Sequence, residues 1–160
     1  MIGKKIILTG SFGVGKTSLF NRFINNQFDD RYLTTIGVKV NKKSVLVGEQ
    51  EVSLLLWDVA GEITQDKVPT SYFLGAAGVL YVFDLSRPIT YQNIATDLEY
   101  LQSLLPYAVV RIVGNKKDLL TEAQIAEAAA KMSPPWDALT SAKTGENVEQ
   151  LFQQLAADLI

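Results

Sequence analysis

Short apolar runs alternate along the chain with longer segments of helical period, the pattern of a βαβ protein built on a mostly parallel sheet. Runs at 5–8, 39–47, 52–57, 79–84 and 109–114 predict strands, with a further short one near Ala138. Between them, residues 16–26 carry Leu19, Phe20, Phe23 and Ile24 on one helical face. Ile94, Leu98, Leu101 and Leu105 repeat the spacing, and Val148, Leu151, Phe152, Leu155 and Leu159 form a third stripe. These stripes read as core and carry no chemistry. Thr121-Glu122-Ala123-Gln124 has the form of a capping box opening a helix that must stop before Pro134-Pro135. Only Gly48-Glu49-Gln50 separates the runs 38–47 and 51–57, so these two predict an antiparallel hairpin. The expectation is one α/β domain over 1–160, with a six-stranded, mostly parallel sheet, one antiparallel edge strand and about five flanking helices.

The composition removes much chemistry. Neither cysteine nor histidine occurs among the 160 residues. Disulfides, thiolate nucleophiles, His-dependent triads, His- or Cys-ligated metals and S-linked lipid anchors are therefore excluded on this chain. Catalysis must use carboxylates, hydroxyls, lysines, amides, backbone N–H groups or a hard metal ion. A net charge of −2 with scattered signs lacks the basic footprint of a nucleic-acid binder. The longest nearly pure apolar run, 76–83, is far shorter than the roughly 18 residues of a membrane helix. A cytoplasmic protein is expected, with no signal peptide or myristoylation site.

Gly10-Ser11-Phe12-Gly13-Val14-Gly15-Lys16-Thr17 matches G-x-x-x-x-G-K-[ST] between a predicted strand and a predicted helix, the context that distinguishes a P-loop from a chance match. Its glycines let backbone N–H groups wrap a polyphosphate, Lys16 reaches the β and γ phosphates, and Thr17 is placed to ligate magnesium. Asn115-Lys116-Lys117-Asp118 follows the fifth predicted strand. A carboxylate at Asp118 can accept from both N1–H and the 2-amino group of guanine, whereas adenine would leave it unpaired. A solvated turn would use the same residue types; Ser141-Ala142-Lys143 favours guanine, since a backbone N–H there can donate to O6. Asp58-Val59-Ala60-Gly61 ends the third predicted strand, where Asp58 can hold magnesium through water and the Gly61 N–H can approach a γ-phosphate. Thr35 lies in the polar stretch before the second strand and can add a hydroxyl to the metal.

In this order the motifs resemble the Ras-like small GTPases, and within them the Rab branch. The segments GSFGVGKTSL, TTIGV, WDVAG, SYFLGAAGVLYVFDLS, VGNKKDL and SAKTGENVEQLF carry the resemblance over essentially the whole chain. It implies a P-loop NTPase (small G-protein) fold and a GTP-hydrolysing switch using GTP/GDP and Mg2+. Gly13, Val14, Gly15, Lys16, Thr17, Ser18, Tyr32, Thr35 and Gly61 would contact the phosphate side of the nucleotide. Phe28, Asn115, Lys116, Asp118, Ser141, Ala142 and Lys143 would hold the base. Thr17, Thr35 and Asp58 would serve the metal, and Lys16, Thr35, Gly61 and position 62 the reaction. Segments 32–40 and 61–72 would be the nucleotide-sensitive switches, meeting effectors and regulators with Trp57 and Tyr72. Val40 stands where the family usually has phenylalanine, which implies an altered partner.

Two residues depart from the family's catalytic pattern. Its catalytic glutamine is replaced by Glu62, which can only accept a hydrogen bond and brings a negative charge. Slow intrinsic hydrolysis is expected, and Gln65 is not expected to substitute. Phe12, where Ras has glycine, can obstruct an activator's arginine finger. The chain stops at Ile160 without the family's tail or prenylated cysteines, as a naturally tailless, prokaryotic-type relative or a trimmed chain would. No direct lipid anchor, no nucleic acid and a monomeric state are expected. Two alternatives compete: a GTP-binding interaction module with negligible hydrolysis, and a small-molecule P-loop kinase, which would need a lid that the sequence lacks.

Overall fold

The computed structural model describes residues 2–26, 38–59 and 69–160. β1 (Ile2–Gly10) leads through the glycine-rich loop into α1 (Lys16–Asn25), and β2 (Val38–Val47) and β3 (Gln50–Val59) form a hairpin. β4 (Ala76–Asp84), α2 (Ile94–Leu104), β5 (Val109–Asn115), α3 (Glu122–Lys131), β6 (Ala138–Leu139) and α4 (Val148–Asp158) complete the order. Four α-helices and three short 3₁₀ turns stand among the described residues, against about five helices expected.

The sheet order is β2-β3-β1-β4-β5-β6. β2 alone runs antiparallel, paired with β3 from Val38 opposite Val59 to Val47 opposite Gln50. The expected edge hairpin is thus present, closed by a two-residue turn whose first residue, Gly48, has a φ of +62°, the conformation that such tight turns demand. All other pairings are parallel.

Alternation along each strand sorts side chains to two covered faces. Ile6, Leu8, Leu54, Leu56, Leu80 and Val82 pack with Leu19, Phe20 and Phe23 of α1 and Leu151, Phe152 and Leu155 of α4. There the Phe23 and Phe152 rings stack with centroids 3.9 Å apart. On the other face Ile7, Val79, Tyr81, Phe83 and Ile112 meet Ile94 and Leu101 of α2 and Ala128 of α3. Because helices cover both faces, β4 is buried without a break from Gly78 to Asp84, as central parallel strands are.

The predicted helix starts follow local chemistry. Thr121 Oγ1 accepts the Gln124 N–H at 3.2 Å while Gln124 Oε1 accepts the Thr121 N–H at 2.9 Å, completing the capping box. α1 ends at Asn26, whose φ of +52° is left-handed and whose N–H donates to the Arg22 carbonyl at 2.9 Å. β1 lies between β3 and β4, so the chain turns outward to one side and then to the other. Its carboxyl end is the crevice where doubly wound sheets take their ligands.

Candidate nucleotide site

The glycine-rich loop occupies that crevice, and its glycines are dictated by space as well as conformation. A Cβ at Gly10 would lie 2.0 Å from the Val82 carbonyl oxygen, and one at Gly15 would lie 2.4 Å from Asn115 Nδ2. Gly13 and Gly15 have φ of +77° and +93°, favourable to glycine. α1 starts at once after Gly15 with no side-chain cap and no acidic residue in its first turn. Its leading N–H groups and positive dipole end therefore face the loop, an arrangement that suits an anion. Lys16 is 8% exposed, with its ammonium 3.5 Å from the Gly10 carbonyl.

Thr17 and Asp58 come together from α1 and β3. The Thr17 hydroxyl donates to Asp58 Oδ2 at 2.5 Å, and Asp58 is fully buried. A hydroxyl and a carboxylate side by side are hard oxygen donors, the set that suits magnesium completed by water and phosphate. Among the described residues no group of three or more carboxylates could form an all-protein metal cage.

The motifs expected to read the base converge on the same loop. Asn115 Nδ2 donates to the Val14 carbonyl at 3.1 Å, and Lys116 Nζ donates to the Gly13 carbonyl at 2.9 Å. Asn115 Oδ1 accepts from the Thr140 hydroxyl and the Ala142 N–H, each at 3.2 Å. Of the 141–143 turn, where a backbone N–H is expected to serve guanine O6, the Ala142 N–H is directed at Asn115 in this structure. Ser141 Oγ donates to Asp118 Oδ1 at 2.7 Å and accepts the Thr144 N–H at 3.1 Å. This fixes the carboxylate against the 141–143 turn. Lys143 joins the site through its backbone carbonyl, which receives the Arg22 guanidinium at 2.5 Å.

Arg22 and Asp84 belong to none of the site motifs, yet both touch the site. Arg22 also donates to the Ala142 carbonyl at 2.7 Å, tying α1 to the 141–143 turn. Asp84 faces Lys116 at 3.1 Å. The available signals were a basic residue set between the apolar positions of a short helix and a carboxylate closing an apolar strand. Phe28, Tyr32, Thr35, Gly61, Glu62 and Gln65 lie outside the described residues, as do most of the two switch segments.

Beside the site, the Trp57 and Tyr72 rings stand 6.0 Å apart at 54°. Val40, opposite Trp57 in the hairpin, is 43% exposed. Lys5 Nζ sits 3.8 Å over the Trp57 ring and donates to the Leu74 carbonyl at 2.7 Å. Partial burial lowers the pKa of this lysine.

A glycine loop at the switch point of a doubly wound sheet, feeding a helix N-terminus and backed by an Asn-Lys-x-Asp strand end, defines the P-loop NTPase class in its small G-protein form. The sequence model of the Ras family matches residues 5–160, and the chain belongs to that family. It is similar to the Ras-related protein Rab-4B of Rattus norvegicus at 39% identity, over 98% of this chain and 76% of that protein. The Ras-related protein YPTC6 of Chlamydomonas reinhardtii is 32% identical over 97% and 74%, and RABA1c of Arabidopsis thaliana 33% over 97% and 74%. These relatives place the chain in the Rab branch, so it is a GTP-binding small GTPase of the switch type. No helix among the described residues is long and apolar enough to cross a membrane.

Proposed function

We propose that this chain is a GTP-loaded switch with slow intrinsic turnover, binding guanine nucleotide and Mg2+ at the carboxyl end of β1. The observation that carries the reading is the junction of the two motifs, Asn115 on the Val14 carbonyl and Lys116 on the Gly13 carbonyl. It supports one ligand whose phosphate end and base end would meet neighbouring groups. In this reading the N–H groups of Gly13 to Ser18 and the Lys16 ammonium hold the phosphates. Thr17, Thr35 and Asp58 would hold the metal, with Asp58 acting through water. Bound there, Mg2+ supplies charge neutralisation along the β and γ phosphates. Phe28 would serve the base and Asp118 would accept from its N1–H and 2-amino groups, with Asn115, Ala142 and Lys143 contributing to the same pocket. Tyr32 and Gly61 would serve the γ-phosphate side.

Glu62 is the reason for slow turnover. A carboxylate can accept from the attacking water but cannot donate to the oxygens that gain charge in the transition state, and its own charge opposes them. Phe12, 54% exposed on the phosphate loop, supports the stronger form of the reading, an interaction module with negligible hydrolysis. An activator's arginine finger is worth roughly 10³ to 10⁵ in rate, and a ring at this position obstructs its entry. Effectors and regulators dock on 32–40 and 61–72 with Trp57 and Tyr72, and Val40 narrows the patch for an altered partner. The chain works as a monomer at the cytoplasmic side of the cell.

Single-turnover hydrolysis on GTP-loaded, Mg2+-bound protein tests this reading. Wild type is expected to turn over little and Glu62→Gln clearly faster, by roughly ten- to hundredfold. Brisk wild-type turnover would reject the role given to Glu62, and failure to load GTP would reject the site.

A further inference from the structure

Asp84 ends β4, a strand otherwise made of small, apolar and aromatic residues, and is 1% exposed. A carboxylate at that depth is costly unless compensated. Its Oδ1 receives the Ser86 N–H at 2.9 Å and the Ser86 hydroxyl at 2.6 Å, which close the turn after the strand. Its Oδ2 has no aligned hydrogen bond among the described residues, and what faces it, at 3.1 Å, is the Lys116 ammonium. The same ammonium donates to the Gly13 carbonyl. Lys116 holds a φ of +65°, a conformation that a non-glycine residue keeps only when its surroundings impose it. The neighbouring charges are engaged elsewhere, Lys117 with Glu146 and Asp118 with Ser141.

A lysine on a flexible four-carbon stem gains little from one neutral carbonyl, because ordering the stem costs entropy. A buried negative charge beside that carbonyl supplies the missing pull, and removing either partner of such a pair leaves the other uncompensated. We propose that Asp84 is a positioning residue for the nucleotide: its buried charge holds Lys116 on Gly13, clamps the base-reading strand end to the phosphate loop, and so slows nucleotide release. The inference rests on the reading that a guanine nucleotide occupies this site.

The test is a double-mutant cycle on release of methylanthraniloyl-GDP from Mg2+-loaded protein, using wild type, Asp84→Asn, Lys116→Gln and the double variant. Asparagine keeps an acceptor for Ser86 and removes the charge that Lys116 faces. Asp84→Asn is expected to speed release roughly ten- to hundredfold, and the double variant to release within about twofold of Lys116→Gln alone. Release from Asp84→Asn at the wild-type rate overturns the proposal. So do accelerations that multiply in the double variant, the result if Asp84 served only the Ser86 turn and lowered the thermal midpoint equally in both backgrounds. Should Asp84→Asn not fold, Asp84→Glu takes its place in the cycle, where non-additive release supports the clamp and multiplying rates overturn it. Wild-type protein that fails to retain the labelled GDP overturns the nucleotide reading and this inference together, whereas retention with an unaffected Asp84→Asn overturns this inference alone.

Discussion

Gly15 and Asn115 meet so closely that a methyl group on the glycine would stand 2.4 Å from the asparagine amide nitrogen. The phosphate loop and the base-reading strand end are thus in contact at a point where only a hydrogen atom fits. Gly15→Ala combines this clash with a φ of +93°, so Asn115 must leave the Val14 carbonyl or the loop must open. Affinity for labelled GDP is expected to fall by more than about a hundredfold while the fold persists, since the strain of one left-handed residue is only about 1–2 kcal/mol. Retained affinity in a titration would show that the contact is dispensable.

The Thr17 and Asp58 pair should make nucleotide retention depend on magnesium. Chelation of the metal is expected to speed GDP release from wild type by roughly a hundredfold, the scale of several kcal/mol of charge stabilisation. Thr17→Ala should release quickly in either condition. A Thr17→Ala protein as sensitive to chelator as wild type would contradict this metal site.

Asp118 should decide which purine binds. Exchanging its acceptor pair for an amide puts a donor where guanine presents its 2-amino group, so Asp118→Asn is expected to lose GDP affinity and gain affinity for xanthosine diphosphate, whose 2-oxo group accepts. Competition between the two diphosphates for labelled nucleotide reads this directly. Each mismatched buried polar pair is worth on the order of 10⁴ in discrimination when a site is built around it.

The stacked Phe23 and Phe152 rings join α1 to α4 beneath the site. Phe152→Ala is expected to destabilise the protein by about 3–5 kcal/mol in urea denaturation. Because α1 carries Lys16 and Thr17, nucleotide affinity should weaken as well. A destabilisation under about 1 kcal/mol would mean that the surrounding core collapses into the space.

Much of this fold was written in local patterns. The paired covering of β4 produces its unbroken apolar run, and the capping box of Thr121 and Gln124 marks the start of α3. Hydropathy marked β1 only over 5–8, because Gly3 and Lys4 separate Ile2 from the apolar run. The ladder of Ile2 to Leu8 with β3 extends the strand regardless. β2 is exposed along most of its length and was legible mainly through the turn at Gly48 and the partner that follows. The site divides in the same way. Lys16, Thr17, Asn115 and Asp118 announce themselves as motifs, because a loop must supply several groups to one ligand within a few residues. Arg22 and Asp84 act on positions far along the chain, on Ala142, Lys143 and Lys116, through contacts that leave no periodic trace.

The hairpin pairs Val38 with Val59 at its inner end. On the proposed reading this rung adjoins the two segments that would sense the third phosphate, with Val38 inside 32–40 and Val59 two residues before 61–72. A single cross-strand pair therefore closes the described ladder on both strands. If those segments respond to the nucleotide as proposed, a displacement entering at that rung would reach Val40 and Trp57, two rungs along, as one movement of a shared surface.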